Sequence, residues 1–183
     1  MGVSTDTVFG WSVAAQRLRT YLDKNNTPLR GWLGPSKSLV PVPRSGRLQP
    51  GGLWVPKLLA DALCDVGLGG EVLTCLQRTV AVPRSSAARP GERTSPQKHY
   101  QTLAVDDIGL HCPKEIVLID DVVTRGSTFL GAASRLHDAC PDATVTAFAV
   151  IRTMGYFLPF KKALDPCVGT ICMDSFGNLR RDP

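Results

Sequence analysis

Long apolar runs, clustered charge of one sign and paired C-x-x-C cysteines are all missing from this 183-residue sequence. No stretch reaches the ~18–20 consecutive apolar residues that a membrane-spanning helix needs. The N-terminal segment 1–13 has neither the basic start nor the apolar core of a secretory signal. No block of five or six like charges occurs, which argues against nucleic acid as a partner. These absences predict a cytoplasmic protein with no membrane segment.

The composition is that of an ordinary globular protein, with 43% hydrophobic and 20% charged residues. A chain of 183 residues is long enough for one well-cored domain and short for two, so we predict a single domain over 1–183. The formal net charge of +5 suits a small polyanionic ligand. The six cysteines have no recognisable metal-ligand spacing, and we expect them to be buried and reduced.

Apolar residues alternate between helical and strand patterns along the chain, with a loop predicted over 79–96 and an irregular tail over 153–183. Strands that alternate with helices predict an α/β fold, with a central and mainly parallel sheet flanked by helices. Ligands bind such sheets beyond the carboxyl ends of the strands. The predicted helices cover 11–23, 51–67, 96–105 and 127–139, and the predicted strands cover 38–43, 70–78, 115–121 and 144–152.

The stretch EIVLIDDVVTRGST (115–128) carries the strongest chemical signal. A buried aliphatic strand ends in Asp120 and Asp121, whose adjacent carboxylates repel each other, and then enters the hydroxyl-rich turn 124–128. Gly126 permits a tight turn and the close approach of a ligand. The helix that follows offers free N–H groups and the positive end of its dipole. This arrangement predicts an anion cradle, most naturally for a phosphate monoester.

The two carboxylates cannot hold that phosphate, but they can accept hydrogen bonds from sugar hydroxyls and hold Mg²⁺ through water. A phosphate beside vicinal hydroxyls describes a ribose 5-phosphate. The alternative is a solvated Asp-Asp turn followed by a capped helix. That alternative would be preferred for an isolated Asp-Asp pair, whereas the ordered 14-residue pattern favours a ligand site.

This pattern resembles the phosphoribosyl-pyrophosphate (PRPP) signature of the type I phosphoribosyltransferases. Those proteins carry a hydrophobic strand, two acidic residues, two aliphatics and then Thr-Thr-Gly, and Arg125 stands here where the second Thr is common. The resemblance implies the type I fold, with a flexible loop and a small variable hood, and Mg²⁺ as the cofactor. It implies that Asp120 and Asp121 are catalytic, hold the ribose hydroxyls and bind Mg²⁺ through water. It places the 5-phosphate of PRPP on Thr124, Arg125, Gly126, Ser127 and Thr128.

Two further segments extend the resemblance over about 35–152. LVPVPRSGR (39–47) resembles the pyrophosphate loop, which implies that Arg44, Ser45 and Gly46 bind pyrophosphate. The segment 82–103 resembles the flexible loop that closes over PRPP, and it loosely resembles the competence-associated ComF-type subgroup. The basic residues that could reach pyrophosphate from this region are Arg84, Arg89, Arg93 and Lys98, with Arg78 just before it.

The function that this resemblance implies is the transfer of ribose 5-phosphate from PRPP to a nitrogen nucleophile such as a nucleobase, with release of pyrophosphate. The acceptor is left open, because the N-terminal segment and 153–183 would form the variable hood that recognises it. Two alternatives are a PRPP-sensing regulator and a non-catalytic accessory domain. Type I relatives are commonly dimers, so a homodimer is a further expectation.

Overall fold

The computed structural model of the chain describes residues 5–83, 94–106, 112–153, 166–175 and 177–182. Within these ranges the chain forms four α-helices and eight strands, in an order that mixes the two types. The helices are α1 (Thr5–Lys24), α2 (Val55–Asp65), α3 (Pro96–Thr102) and α4 (Ser127–Ala139). The strands are β1 (Ser38–Pro41), β2 (Glu71–Val72), β3 (Leu76–Arg78), β4 (Leu103–Val105), β5 (Glu115–Val123), β6 (Thr144–Arg152), β7 (Thr170–Met173) and β8 (Leu179–Asp182).

Four of these strands form a parallel sheet in the order β2–β1–β5–β6. Its centre is aliphatic, since Leu39 of β1 pairs with Val72 on one side and Val117 on the other. Residues 116–119 of β5 are at most 1% exposed. Strands buried on both faces are typical of parallel sheets that helices cover on each side. The predicted α/β architecture with a central parallel sheet is therefore confirmed.

Two hydrophobic cores lie on opposite faces of the sheet. Side chains alternate between faces along a strand, so Leu39 and Val117 pack toward α1 and α2, while Val40 and Leu118 pack toward α4. Each of these four side chains is at most 1% exposed. The helices thereby fix the sheet from both sides and leave its strand ends free to carry loops.

The carboxyl ends of β1 and β5 lie beside each other at the point where the chain changes direction within the sheet. From β1 the chain continues to β2 on one side, and it returns to β5 on the other. The Val42 N–H donates to the Ile119 carbonyl at 2.9 Å, which holds the two ends together until their loops diverge. Such a switch point is where open α/β sheets form a ligand crevice.

Several predicted bounds are wrong. β5 continues past Asp121, because the residues that follow pair with Ile151 and Arg152 of β6, so the two aspartates lie inside the strand. The predicted strand over 70–78 is divided in two, since β2 pairs with β1 whereas β3 pairs antiparallel with β4 in a separate ribbon. The predicted helix over 96–105 ends at Thr102, where the chain enters β4.

The prediction of an irregular tail is also wrong within the described part of it. β7 and β8 form an antiparallel hairpin in which Ile171 pairs with Arg181. Short strands with alternating exposure carry a weak sequence signal, because half of their side chains face solvent. None of the described helices has the length and hydropathy of a membrane-spanning segment.

The expectation of buried, reduced cysteines is wrong for several residues. Cys112 and Cys140 form a disulfide, with their Cα atoms 5.5 Å apart. Cys112 precedes β5 and Cys140 follows α4, so the fold brings them together at the amino-terminal edge of the sheet. Cys167 and Cys172 are exposed free thiols.

Candidate functional site

A cleft of about 670 Å³ opens at the switch point between β1 and β5. Its walls are the loop after β1 with the start of α2, the end of β5 with the turn into α4, and His99 of α3. The segments that the sequence predicts to bind a phosphate and a pyrophosphate therefore face the same space, although they are about 80 residues apart in the chain.

Most of the predicted site residues line this cleft. They are Asp120, Asp121, Thr124, Arg125, Gly126, Ser127, Thr128, Arg44 and Ser45. Gly46 lies just outside the lining, and Lys98 is exposed on α3 away from it. Arg84, Arg89 and Arg93 lie outside the described residues.

Asp120 and Asp121 are half-buried at the floor of the cleft, and each caps the amide that follows it. The Asp121 N–H donates to Asp120 Oδ1 at 2.9 Å, and the Val122 N–H donates to Asp121 Oδ1 at 2.9 Å. Burial, followed by the hydrogen bond and the charge of Asp121, raises the pKa of Asp120 to about 8. The free protein thus holds a protonated carboxyl beside an acidic neighbour, an arrangement typical of functional sites.

We expect Asp120→Asn to stabilise the free protein between pH 6.5 and pH 8. The raised pKa of Asp120, about 8 against an ordinary 3.8, means that the folded state keeps a proton that the unfolded chain has released. The free energy of unfolding therefore falls as the pH rises across that window. His99, with a pKa lowered from 6.5 to about 4, has the opposite effect only below pH 6.5. The free energy of unfolding of the Asp120→Asn variant should exceed that of the wild type near pH 8 by ~1–2 kcal/mol.

Urea unfolding of the two proteins at pH 6.5 and pH 8 measures this difference. Asp142→Asn is a matched control. Asp142 is exposed and precedes β6, so it lies at the amino-terminal ends of the strands, away from the cleft at their carboxyl ends. If the free energy of unfolding of Asp120→Asn depended on pH as strongly as that of the wild type, the raised pKa of Asp120 would be contradicted.

The donor set at the cleft floor fits Mg²⁺. Within the described part of the chain, no three acidic, histidine or cysteine side chains come together as a metal cage. Mg²⁺ does not require one, because it is usually bound by one or two carboxylates, with water and substrate phosphates at the other positions. Asp120 and Asp121 supply carboxylate oxygens only, which is the donor type that this ion prefers.

The turn 124–128 (called the phosphate loop below) has the geometry that an anion needs. Gly126 adopts φ +89°, in the left-handed region that favours glycine, and precedes the first residue of α4. No side chain caps this helix, so its first N–H groups have no side-chain acceptor among the described residues. Ser127, Thr128 and Phe129 of this first turn line the cleft. The positive end of the α4 dipole therefore points at the same space.

The loop after β1 forms the opposite wall. Arg44 Nη1 donates to the Leu53 carbonyl at 2.8 Å, which holds this cation at the rim of the cleft. The Val82 N–H donates to the Ser45 carbonyl at 2.8 Å, so the start of the segment 79–96 is tied to this loop.

A buried arginine lies behind that wall, and it has no acidic partner in the described part of the chain. Arg78 is 6% exposed, and its guanidinium donates to the Arg44 carbonyl at 3.1 Å and to Thr102 Oγ1 at 2.7 Å. Burial lowers its pKa to about 10, so it stays protonated at neutral pH. None of the ion pairs among the described residues includes Arg78. A buried charge without a counterion is costly, and an anion in the cleft would supply one.

His99 connects this arginine to the phosphate loop. Arg78 Nη2 lies 3.3 Å from His99 Nδ1, and His99 Nε2 lies 3.4 Å from Thr128 Oγ1. Burial, followed by the charge of Arg78, lowers the pKa of His99 to about 4. Because Arg78 can only donate, Nδ1 accepts and Nε2 carries the proton. Thr128 Oγ1 then accepts from His99, which leaves the threonine hydroxyl proton free to donate into the cleft.

No known family model matches this chain. No curated protein is significantly similar to it either. The resemblance to the type I phosphoribosyltransferases therefore rests on the residues of the motifs and on the geometry of the cleft.

No sequence pattern marks His99 or Arg181 as a site residue. His99 is three residues beyond the helix start at Pro96 in an otherwise polar stretch, and nothing in its spacing predicts burial. Arg181 lies in the tail that the sequence predicts as irregular, yet its guanidinium contacts the phosphate loop. Both acquire their roles from contacts with residues distant in the chain, which no local pattern reports.

Proposed function

We propose that this protein is a PRPP-binding phosphoribosyltransferase of the type I fold, which transfers ribose 5-phosphate to a nitrogen nucleophile and releases pyrophosphate. The observation that carries the proposal is the meeting of three features in one cleft. Two aspartates lie at the floor. On one side lies a helix start that no described side chain caps, with four hydroxyl or glycine positions, and on the other side lie two arginines. A phosphorylated sugar with a second anionic group has this distribution of charge.

The binding mode follows from the donors on each wall. The phosphate loop would take the 5-phosphate, with the Thr128 hydroxyl donating to it because His99 fixes the direction of its proton. Asp120 and Asp121 would hold the 2- and 3-hydroxyls of the ribose. Arg44 at the rim and Arg78 behind it would balance the pyrophosphate.

The reaction proposed here needs positioning and preorganised charge, and no covalent intermediate. The nitrogen of the acceptor forms a bond to the anomeric carbon, while the bond from that carbon to the pyrophosphate oxygen breaks. The bonding electrons leave with pyrophosphate, and the acceptor nitrogen loses its proton to solvent. Positive charge builds on the ribose ring as the bonds change, and Asp121 at the floor of the cleft would stabilise it.

Two cations would act on the leaving group. The guanidinium groups of Arg44 and Arg78 only donate hydrogen bonds. They would therefore stabilise the negative charge that builds on pyrophosphate as its bond to the ribose breaks. Asp120 and Asp121 would hold Mg²⁺ through water, and when bound the ion neutralises part of the pyrophosphate charge.

Pyrophosphate release tests the proposal directly. Purified protein with PRPP, Mg²⁺ and a panel of purine and pyrimidine bases should release pyrophosphate in a base-dependent way. Calorimetry on the same preparation should detect PRPP binding without any base. Base-dependent release would support the transferase. PRPP binding without release for any base would instead identify a PRPP sensor or accessory domain, and the absence of PRPP binding would contradict both.

A further inference from the structure

The hairpin β7–β8 packs one of its faces on the phosphate loop. Ile171 and Arg181 are opposite each other in the register of the hairpin, so their side chains lie on the same face. A Cβ atom on Gly126 would come within 2.5 Å of Ile171 Cδ1, which shows how closely the two elements approach. Arg181 extends from the same face to the residues just before Gly126.

Arg181 binds three backbone carbonyls at the end of the sheet. Its Nη1 donates to the Val123 carbonyl at 3.3 Å and also to the Thr124 carbonyl. Its Nη2 donates to the Thr153 carbonyl at 2.6 Å. The Thr153 N–H donates in turn to the Val123 carbonyl at 3.0 Å. One guanidinium therefore ties the start of the phosphate loop to the ends of both β5 and β6.

These contacts determine where the amides of the loop point. A trans peptide is planar, and its C=O and N–H point in opposite directions. Since Arg181 holds the carbonyls of Val123 and Thr124 on the hairpin side, the N–H groups of Thr124 and Arg125 point away from the hairpin. Neither N–H has a hydrogen-bond partner within the described part of the chain. Thr124 and Arg125 both line the cleft.

We propose that Arg181 is a positioning residue that orients the amides of Thr124 and Arg125 for a phosphate monoester without contacting that ligand itself. The inference deepens the proposed function and rests on it in one respect, since the monoester is taken to be the 5-phosphate of PRPP. The guanidinium is suited to this task because its donors form a fixed planar fork, which can bridge several carbonyls at once.

The test compares Arg181→Gln with wild type for two probes, ribose 5-phosphate and inorganic pyrophosphate. We expect Arg181→Gln to bind ribose 5-phosphate at least about 10-fold more weakly. We expect it to bind pyrophosphate with unchanged affinity, because Arg181 donates to the carbonyls of Val123, Thr124 and Thr153, whereas Arg44 donates to Leu53. A merely structural role for Arg181 would weaken both probes together. Hydrogen exchange should also be faster than in wild type at the Thr153 amide, which donates to the Val123 carbonyl that Arg181 holds, with no change at the centre of β5.

Arg180→Gln is the matched control. Arg180 is on the opposite face of the hairpin, its side chain is 72% exposed, and its nearest acidic partner, Asp182, is 3.8 Å away. This variant should bind both probes as wild type does. Arg181→Lys serves as the second variant if Arg181→Gln does not fold. It keeps the charge but not the fork, so we expect its affinity for ribose 5-phosphate to fall between those of wild type and Arg181→Gln.

The outcomes separate the two proposals. Wild-type affinity for ribose 5-phosphate in a folded Arg181→Gln or Arg181→Lys protein would overturn the positioning role and leave the proposed function intact. An equal loss for both probes would overturn it as well. Weaker ribose 5-phosphate binding in Arg181→Gln, together with a wild type that releases no pyrophosphate from PRPP, would support the positioning role and contradict the transferase. No binding of ribose 5-phosphate by the wild type would overturn the positioning role, while base-dependent pyrophosphate release from PRPP would still decide the transferase.

Discussion

The Asp121→Asn variant is expected to turn over PRPP at least ~100-fold more slowly than wild type, because it removes a negative charge placed where the ribose ring becomes positive. The substitution keeps the local fold. Asp121 Oδ1 accepts the Val122 N–H at 2.9 Å, and the oxygen of an asparagine amide can accept the same bond. The side chain also keeps its size, so the shape of the cleft floor should not change.

Steady-state pyrophosphate release from the purified variant measures this effect. We expect the loss mainly in the turnover number, since the charge matters most after the bond to pyrophosphate begins to break. Asp142→Asn, an equal change of charge at the opposite edge of the sheet, should retain wild-type turnover. If Asp121→Asn turned over PRPP within a few-fold of the wild-type rate, the assignment of this residue as catalytic would be contradicted.

The second large effect is expected from Gly126→Val, which should abolish PRPP binding and destabilise the protein. A β-branched residue at φ +89° is strained by ~1–3 kcal/mol. The new side chain would also meet Ile171, whose Cδ1 lies 2.5 Å from the position of a Cβ. Overpacking of this kind costs a further ~1–3 kcal/mol. Three side-chain atoms of Ile171 lie within 3.0 Å of that position, so we expect the phosphate loop to shift and the direction of its amides to change.

Calorimetry with PRPP and chemical unfolding together test this prediction. Gly51→Val is a useful control, because Gly51 also has a positive φ of +70°, but no described atom lies within 4 Å of the position that its Cβ would take. That variant should show the cost of backbone strain without the steric contact, and it should still bind PRPP. Unchanged PRPP affinity in Gly126→Val would remove the phosphate loop from the proposed site.

These two predictions depend on the sequence and the fold to different degrees. The importance of Asp121 and Gly126 is visible in the stretch 115–128 alone, because adjacent acids and a Thr-x-Gly-Ser-Thr turn need a reason. The α/β class is also visible in the sequence, because continuous aliphatic strands alternate with helical patterns, and the structure confirms it. Which side chain would collide with a residue at position 126 is not visible there, because Ile171 is 45 positions further along the chain.

The local order of residue types thus determined the class of fold, the strands at its centre and the carboxylate–phosphate-loop motif, because these depend on periodicity and turn chemistry within some fifteen residues. Only the tertiary structure decided that Arg78 is buried with no acidic partner among the described residues, that His99 directs the Thr128 hydroxyl, and that Arg181 holds the phosphate loop. Each of these depends on a contact between elements far apart in the chain. Such contacts are set by the packing of helices and hairpin around the sheet, which a local pattern does not encode.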